Sequence, residues 1–425
     1  MKKKRRKIVT KIKNFLRNMF DNIDKLTMIA FSIFVACYII DSSVIAKDYD
    51  AVVIILKILR YACYAFFAVR VIWDVLKERK VPVAMLASFA VALGVVIFAK
   101  NITFAFAILI LSAMRNFDIK RVAKWAFFVM GTIYFVIVIL ALVGVLPDWL
   151  FVRGTEWSRH AIGFTYPTDA IAVYLSIMIL ATVAFGTKIP YAALAIAEAV
   201  GFGLYWYTDG RLSFILVTVL VVALAAYKTV LVRAPKVNKA IEDFLSKKVV
   251  KWVLFSVPFI FCVIAIAIVL LYRANNGLAV MINGLLSDRL LHSSNALYSY
   301  PLLPFGTFVE WQGFGGVGYA EVAPENFVYN FVDISYIRGL FDYGIIAMIA
   351  IMLGYGFKVK KEAEKKNVVM VLALLVMLLW CFVEPFIFVI GKNVMVVCLA
   401  KYMGNFKISA KPINVIADKV DDFLK

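Results

Sequence analysis

Apolar stretches long enough to cross the roughly 30 Å hydrocarbon core of a bilayer recur along the whole chain, parted by short polar turns. They run near residues 26–46, 51–76, 81–99, 102–114, 122–146, 170–186, 189–207, 212–227, 252–272, 335–357, 368–383 and 386–400. At about 20 residues per helical crossing, they account for more than half of the 425 residues. The predicted fold class is all-α: a polytopic integral membrane protein with about 12 transmembrane helices. The range is 10–12, because the fourth stretch is short and the last two are separated only by Glu384-Pro385. An even count puts both termini on one side.

The polar segments are unequal. Most turns hold a few residues, whereas 147–169 and 273–334 are long, and long loops in compact folds usually carry a task. The chain divides into a basic N-terminal segment (1–25), nine spans (26–272), a loop or cap (273–334), three further spans (335–400) and a tail (401–425). The cap contains an amphipathic stretch of Leu278, Met281, Ile282, Leu285, Leu286, Leu290 and Leu291. A Pro/Gly segment from Pro301 to Gly318 and an aromatic run at 326–331 follow. Three other stretches are basic and amphipathic, with Ile8, Ile12 and Leu16, then Val237, Ile241 and Leu245, then Ile413, Ile416, Val420 and Phe423 at helical spacing. Each is read as a helix lying on the inner leaflet or as plain positive anchoring.

Charge fixes the expected orientation. The formal net charge is +20 in a chain that is 64% hydrophobic, so placement matters more than the sum, and nucleic acid is not an expected partner. Thirty-four lysines and arginines fall in the segments assigned to one side (1–25, 77–80, 115–121, 187–188, 228–251, 358–367, 401–425), against seven in all the other loops. Both termini are therefore expected in the cytoplasm, and the first apolar stretch is read as a retained span because no small-residue cleavage site follows it. Charged residues also fall inside predicted spans: Lys57, Arg60, Arg70, Arg338 and Asp342, with Glu384 between the last two. These are expected to face a polar interior or one another, and Arg338 with Asp342 to pair on one helix face. Five cysteines lie in predicted spans without a Cys-x-x-Cys pair, so no disulfide is expected. His160 and His292 belong to no zinc-type spacing, and no phosphate loop of the Gly-x-x-x-x-Gly-Lys type occurs. Neither metal nor cofactor is predicted.

Three arginines, Arg159, Arg211 and Arg289, stand beside polar, glycine-containing stretches between spans. Such a cation needs water or a negative partner, and a guanidinium offers a planar set of donors to phosphate oxygens. Arg211 lies in Tyr207-Thr-Asp-Gly-Arg-Leu-Ser213, a tight turn in which Gly210 lets the backbone bend; a salt bridge with Asp209 is the structural alternative. Arg159 precedes a span that opens on a Pro-Thr-Asp helix start, whose partial positive charge suits an anion; the alternative is a solvated arginine beside a capped helix. Arg289, in Leu286-Ser-Asp-Arg-Leu-Leu291, is read as a phosphate ligand or as an arginine held by lipid headgroups or Asp288. Asp333, Ser335 and Tyr336 supply a carboxylate and two hydroxyls where the chain re-enters the membrane, suited to a general base or to orienting a sugar hydroxyl.

In this order the stretches resemble the O-antigen polymerase and ligase family, the Wzy-like membrane glycosyltransferases, over roughly residues 150–390. Arg159-His-Ala-Ile-Gly-Phe-Thr-Tyr-Pro-Thr168 is similar to the family's Arg-x-x-x-Gly-Phe-x-His-Pro-Asn, Thr208-Asp-Gly-Arg211 to its Thr-x-Ser-Arg, and Leu286-Ser-Asp-Arg289 to its Leu-Thr-Gly-Arg. Val332-Asp-Ile-Ser-Tyr336 with Asp342-Tyr-Gly-Ile-Ile346 resembles the polymerase pattern Asp-Asn-Ser-Tyr with a downstream Tyr-Gly-Ile-Ile, and Glu384 falls where the family often carries an acidic residue. Tyr166, Thr168, Gly210 and Ile334 depart from the pattern, and the ligase histidine near the end of the large loop has no counterpart. The resemblance implies a GT-C-like architecture with a long extracytoplasmic loop, in a bacterial cytoplasmic membrane. It implies a polymerase that transfers undecaprenyl-diphosphate-linked oligosaccharide to an acceptor repeat unit at the outer face. Arg211, Arg289 and Asp333 are then the expected catalytic groups, with Arg159, Tyr166, Ser335 and Tyr336 binding substrate. Membrane lipid, a flippase and a chain-length regulator of the same pathway are the implied partners. A lipid-linked oligosaccharide flippase or other secondary transporter is the alternative, since twelve spans and interior charges also suit alternating access; no internal repeat supports it.

Overall fold

The computed structural model describes residues 19–153, 157–313, 329–409 and 411–424. The basic stretch with Ile8, Ile12 and Leu16 and part of the aromatic and glycine-rich cap sequence lie outside the described residues. The chain is a bundle of helices with two small two-stranded pairings. Among the described residues, six segments have the length and apolarity to cross a membrane: α1 (Ile23–Asp41), α2 (Asp50–Glu78), α5 (Ile119–Leu142), α6 (Pro167–Phe185, extended by one 3₁₀ turn), α8 (Arg211–Arg233) and α10 (Lys248–Arg273). Shorter apolar helices stand among them: α3 (Val83–Phe98), α4 (Ile102–Ala113) and α15 (Val368–Trp380). This is a membrane-embedded helical protein.

The central helix is α6. Nearly every side chain from Pro167 to Val183 is buried, because α5, α7 (Tyr191–Thr208), α8 and α15 surround it. A helix apolar on every face belongs in such a position. Outer helices bury one stripe and leave the rest apolar and exposed, as at Ile54, Ile58 and Tyr61 of α2 or Ile215, Val219 and Val222 of α8. Such faces suit lipid, not water.

Two predicted spans are broken. The stretch at 335–357 forms α13 (Ser335–Asp342) and α14 (Gly344–Glu364), parted at Gly344, whose φ is +82°. That turn receives the cap: Thr307 N donates to Phe341 O at 2.8 Å, Ile345 N to Leu303 O at 3.2 Å and Ile346 N to Pro304 O at 3.1 Å. The stretch at 386–400 is not an α-helix. After α15 the chain runs irregularly from Cys381 to Asn393, then forms a 3₁₀ segment, Val394–Gly404. Irregular backbone at such depth persists only where its polar groups find partners, and here Ser335 Oγ donates to Glu384 O, Ser176 Oγ to Lys392 O and Asn393 Nδ2 to Phe386 O.

The two ends of the bundle differ. At the basic end, β1 (Val81–Pro82) pairs with β4 (Lys407–Ile408), and Arg79 meets Asp418 of the C-terminal helix α16 (Lys411–Leu424) at 2.8 Å. The amphipathic helix α9 (Pro235–Ser246) buries Leu245 and approaches the turn after α14 through Asp243 and Lys366 at 3.3 Å. Arg70 and Arg115 are buried there beside Asp74 and Glu78, and in α2 Arg60 meets Asp41 at 3.0 Å, so each of these arginines finds a carboxylate. The five cysteines are free and buried. The opposite end carries the hairpin of β2 (Leu150–Arg153) and β3 (Trp157–His160) and the cap helices α11 (Gly277–Leu285) and α12 (Arg289–Ser299).

Candidate functional site

At the cap end a cavity of about 750 Å³ opens between the hairpin, the starts of α6, α8 and α12, the cap and the irregular chain after α15. Arg159, Tyr166, Arg211, Arg289 and Asp333 all line it. Three distant arginines therefore converge on one space, but each is held differently.

Arg159 sits on β3, opposite Phe151 in the hairpin register. Segment 147–169, expected as a loop, thus holds a hairpin that fixes this side chain. Its Nε donates to Thr208 O at 2.8 Å, and its guanidinium lies 5.8 Å from the centre of the Tyr166 ring. Thr208 is the last residue of α7, so the cation satisfies a terminal carbonyl where helix charge is negative. The hydroxyl of the same threonine accepts from Gly210 N at 3.2 Å in the turn that carries Arg211. There the left-handed residue is Asp209 (φ 51°), while Gly210 has φ −83°. Glycine is needed at 210 for closeness instead: a Cβ would collide with Ile171 of α6. Arg211 donates to Asp209 at 2.8 Å, the pairing weighed in the sequence reading, and its side chain remains 64% exposed at the mouth.

Arg289 is the interior cation. The chain turns through Ser287 and Asp288, both with positive φ, and buried Asn283 accepts from Leu290 N at 3.0 Å and Leu291 N at 3.1 Å, capping α12 from one helix away. Asn283 also donates to Asp288 at 2.8 Å. Arg289 at the first turn of α12 is thereby aimed inward, with its Nε 3.3 Å from Asp333 and its Nη2 3.7 Å from Glu384. Burial works against its charge, yet the Asp333 and Glu384 carboxylates outweigh burial and hold its pKa above the ordinary value. Burial raises the carboxyl of Asp333 against the pull of Arg289, and pushes that of Glu384, in the turn beyond α15, up to about 8. One guanidinium shared by two buried carboxyls leaves one of them protonated at neutral pH.

Two predicted binding residues lie elsewhere. Ser335 is buried, its hydroxyl donating to Glu384 O and accepting from Ile387 N at 3.1 Å. Tyr336 is fully buried and donates to Leu378 O at 2.8 Å. Neither lines the cavity, because α13 turns that face into the core, where the Ser335 hydroxyl holds irregular backbone and the Tyr336 hydroxyl holds the last turn of α15. Of the two, Ser335 holds the backbone at Glu384.

Several lining residues escaped the sequence reading. Lys392 pairs with Asp169 of α6 at 2.9 Å and lies 4.8 Å from the Phe386 ring centre. Its signal was present, a lysine inside an apolar run. Trp311, Tyr329, Phe331 and His292 form the cap wall, with His292 4.3 Å from Tyr329 centre to centre. Only the folded cap brings them together. Arg338, expected to pair with Asp342, does so at 3.0 Å and also stacks between Trp311 and Phe331.

The cavity thus combines donors for an anion, buried carboxyls able to take or give a proton, and aromatic rings. Comparison with known proteins found no matching family model, no matching curated protein and no matching solved structure.

Proposed function

We propose that the protein is a membrane glycosyltransferase that polymerises polysaccharide repeat units, transferring an undecaprenyl-diphosphate-linked oligosaccharide to the hydroxyl of an acceptor unit. In this reading twelve segments traverse the membrane in a GT-C-like arrangement. Both termini are cytoplasmic, and the cavity opens at the outer face of a bacterial cytoplasmic membrane. The observation that carries it is the meeting of Arg159, Arg211 and Arg289 in one cavity with Asp333 and Glu384.

The chemistry follows from that set. An acceptor hydroxyl attacks the anomeric carbon, the bond to the lipid diphosphate breaks, and negative charge grows on the departing oxygen. Guanidinium groups stabilise that charge by preorganised donors. Arg289 is fixed in the interior for this role, and Arg211 at the mouth meets the diphosphate as it enters or leaves. As the diphosphate engages Arg289, Asp333 loses part of its counter-charge and becomes a better acceptor for the hydroxyl proton.

The test uses purified protein in lipid with an undecaprenyl-diphosphate-linked repeat unit. Release of lipid diphosphate together with a ladder of longer glycans is expected. Passage of the substrate across the vesicle membrane with no chain growth would replace this reading by transport.

A further inference from the structure

We infer that the cap wall of the cavity seats a sugar ring bearing no negative charge, either neutral or amino-substituted, and that acidic sugars are excluded from it. This rests on the reading of the cavity as a glycan site.

The wall offers a fixed aromatic surface. Trp311 Nε1 donates to Asp342 Oδ1 at 2.7 Å, the Arg338 guanidinium lies 5.2 Å from its ring centre, and Tyr300 and Phe341 pack edge-on at 6.4 and 6.0 Å. Arg338 also lies 4.3 Å from the Phe331 ring centre, so one cation locks two lining rings. An indole held in this way and lining a polar cavity suits the polarised C–H face of a sugar.

Charge then selects among sugars. Four permanent cations (Arg159, Arg211, Arg289, Lys392) line the cavity with five carboxyl groups (Asp169, Asp209, Asp288, Asp333, Glu384), one of which keeps its proton at neutral pH, so the resident charges already balance. Arg211, Arg289 and Lys392 each already contact a carboxylate. Arg338, behind the rings, is held by Asp342. The cap sequence leans acidic: residues 273–334 contain two arginines, no lysine and five Asp or Glu, in a protein of net charge +20. His292 adds no cation at neutral pH, since burial lowers its pKa. A diphosphate entering this space claims the positive charge present. A uronate beside Asp333 and Asp288 would add a further anion without a partner, whereas an ammonium would meet waiting carboxylates.

The test measures binding of soluble tetrasaccharides to the purified full-length protein in nanodiscs, in matched sets that differ at one ring: glucose, glucuronic acid, N-acetylglucosamine or glucosamine. Neutral and amino members should bind at least about tenfold tighter than the glucuronate member at neutral pH. Trp311→Ala should lose that binding and Trp311→Phe should retain most of it, with thermal unfolding reporting that both variants fold. Equal or tighter binding of the glucuronate set, no binding by any set, or affinity indifferent to Trp311→Ala would each overturn the inference. Neutral glycans that bind without any polymer from lipid-linked substrate would instead remove the polymerase reading and leave this one standing.

Discussion

Arg289 has to serve two carboxyls at once, and that imbalance sets what single substitutions should do. Arg289→Ala is expected to abolish polymer, and Arg289→Lys to lower the rate by about a hundredfold or more, because an ammonium keeps the charge but not the fork that spans Asp333 and Glu384. Protein level in the membrane should stay near wild type for the lysine variant; polymer at the normal rate from it would take Arg289 out of the chemistry. Glu384 gives a second, independent reading through stability. Its folded pKa of about 8 lies above the ordinary 4.5. Between those values the folded protein keeps a proton on Glu384 that the unfolded chain has released, so this group's contribution to stability is full below pH 4.5 and is lost as pH rises towards 8. Glu384→Gln removes this group from the balance. Melting temperature against pH should therefore be flatter for the variant across that window, by the equivalent of a few kcal/mol on the order expected for such a shift. Parallel profiles would mean that Glu384 ionises normally.

Among the elements, the cap owes its position to two glycines that face each other. Gly306 (φ +89°) and Gly344 (φ +82°) approach so closely that a Cβ on Gly344 would strike Gly306 N and Pro304 O, and one on Gly306 would strike Phe341 O. Gly344→Ala combines backbone strain with a collision and is expected to cost about 3 kcal/mol or more. Because the same contact leads to Trp311, the variant should lose glycan binding and gain protease sensitivity in the cap while the bundle stays helical by circular dichroism. Unchanged cleavage would show that the cap is held by other contacts. This junction also marks the limit of what the sequence reveals. The apolar runs foretell the helices, since hydropathy and length are local, and the turns at 208–211 and 286–289 are legible from their polar residues. The break at Gly344 and the irregular 381–393 segment are not, because Ser335, Ser176 and cap backbone from elsewhere in the chain satisfy their polar groups. For the same reason Ser335 and Tyr336 read as ligands in the sequence and act as braces in the fold.

Across the whole molecule the charge is polarised: the β1–β4 pairing, α9 and α16 gather lysine-rich sequence at one end, while the carboxylate-rich cap and its cavity occupy the other. Under the proposed function, a bilayer with an anionic inner surface would orient such a body with the basic end inward and the cavity outward. Orientation is thus a measurable consequence of the functional reading. The native protein is well suited to the measurement, because all five cysteines are buried and free and should react little with a membrane-impermeant maleimide. A cysteine introduced at Tyr298, 75% exposed on the cap, should be labelled in intact cells. One at Val232, 77% exposed at the basic end of α8, should be labelled only after the membrane is opened. The reverse pattern would put the cavity in the cytoplasm, where an acceptor glycan exported for polymerisation would never meet it, and polymerisation at the outer face would have to be abandoned even with every arginine in its place.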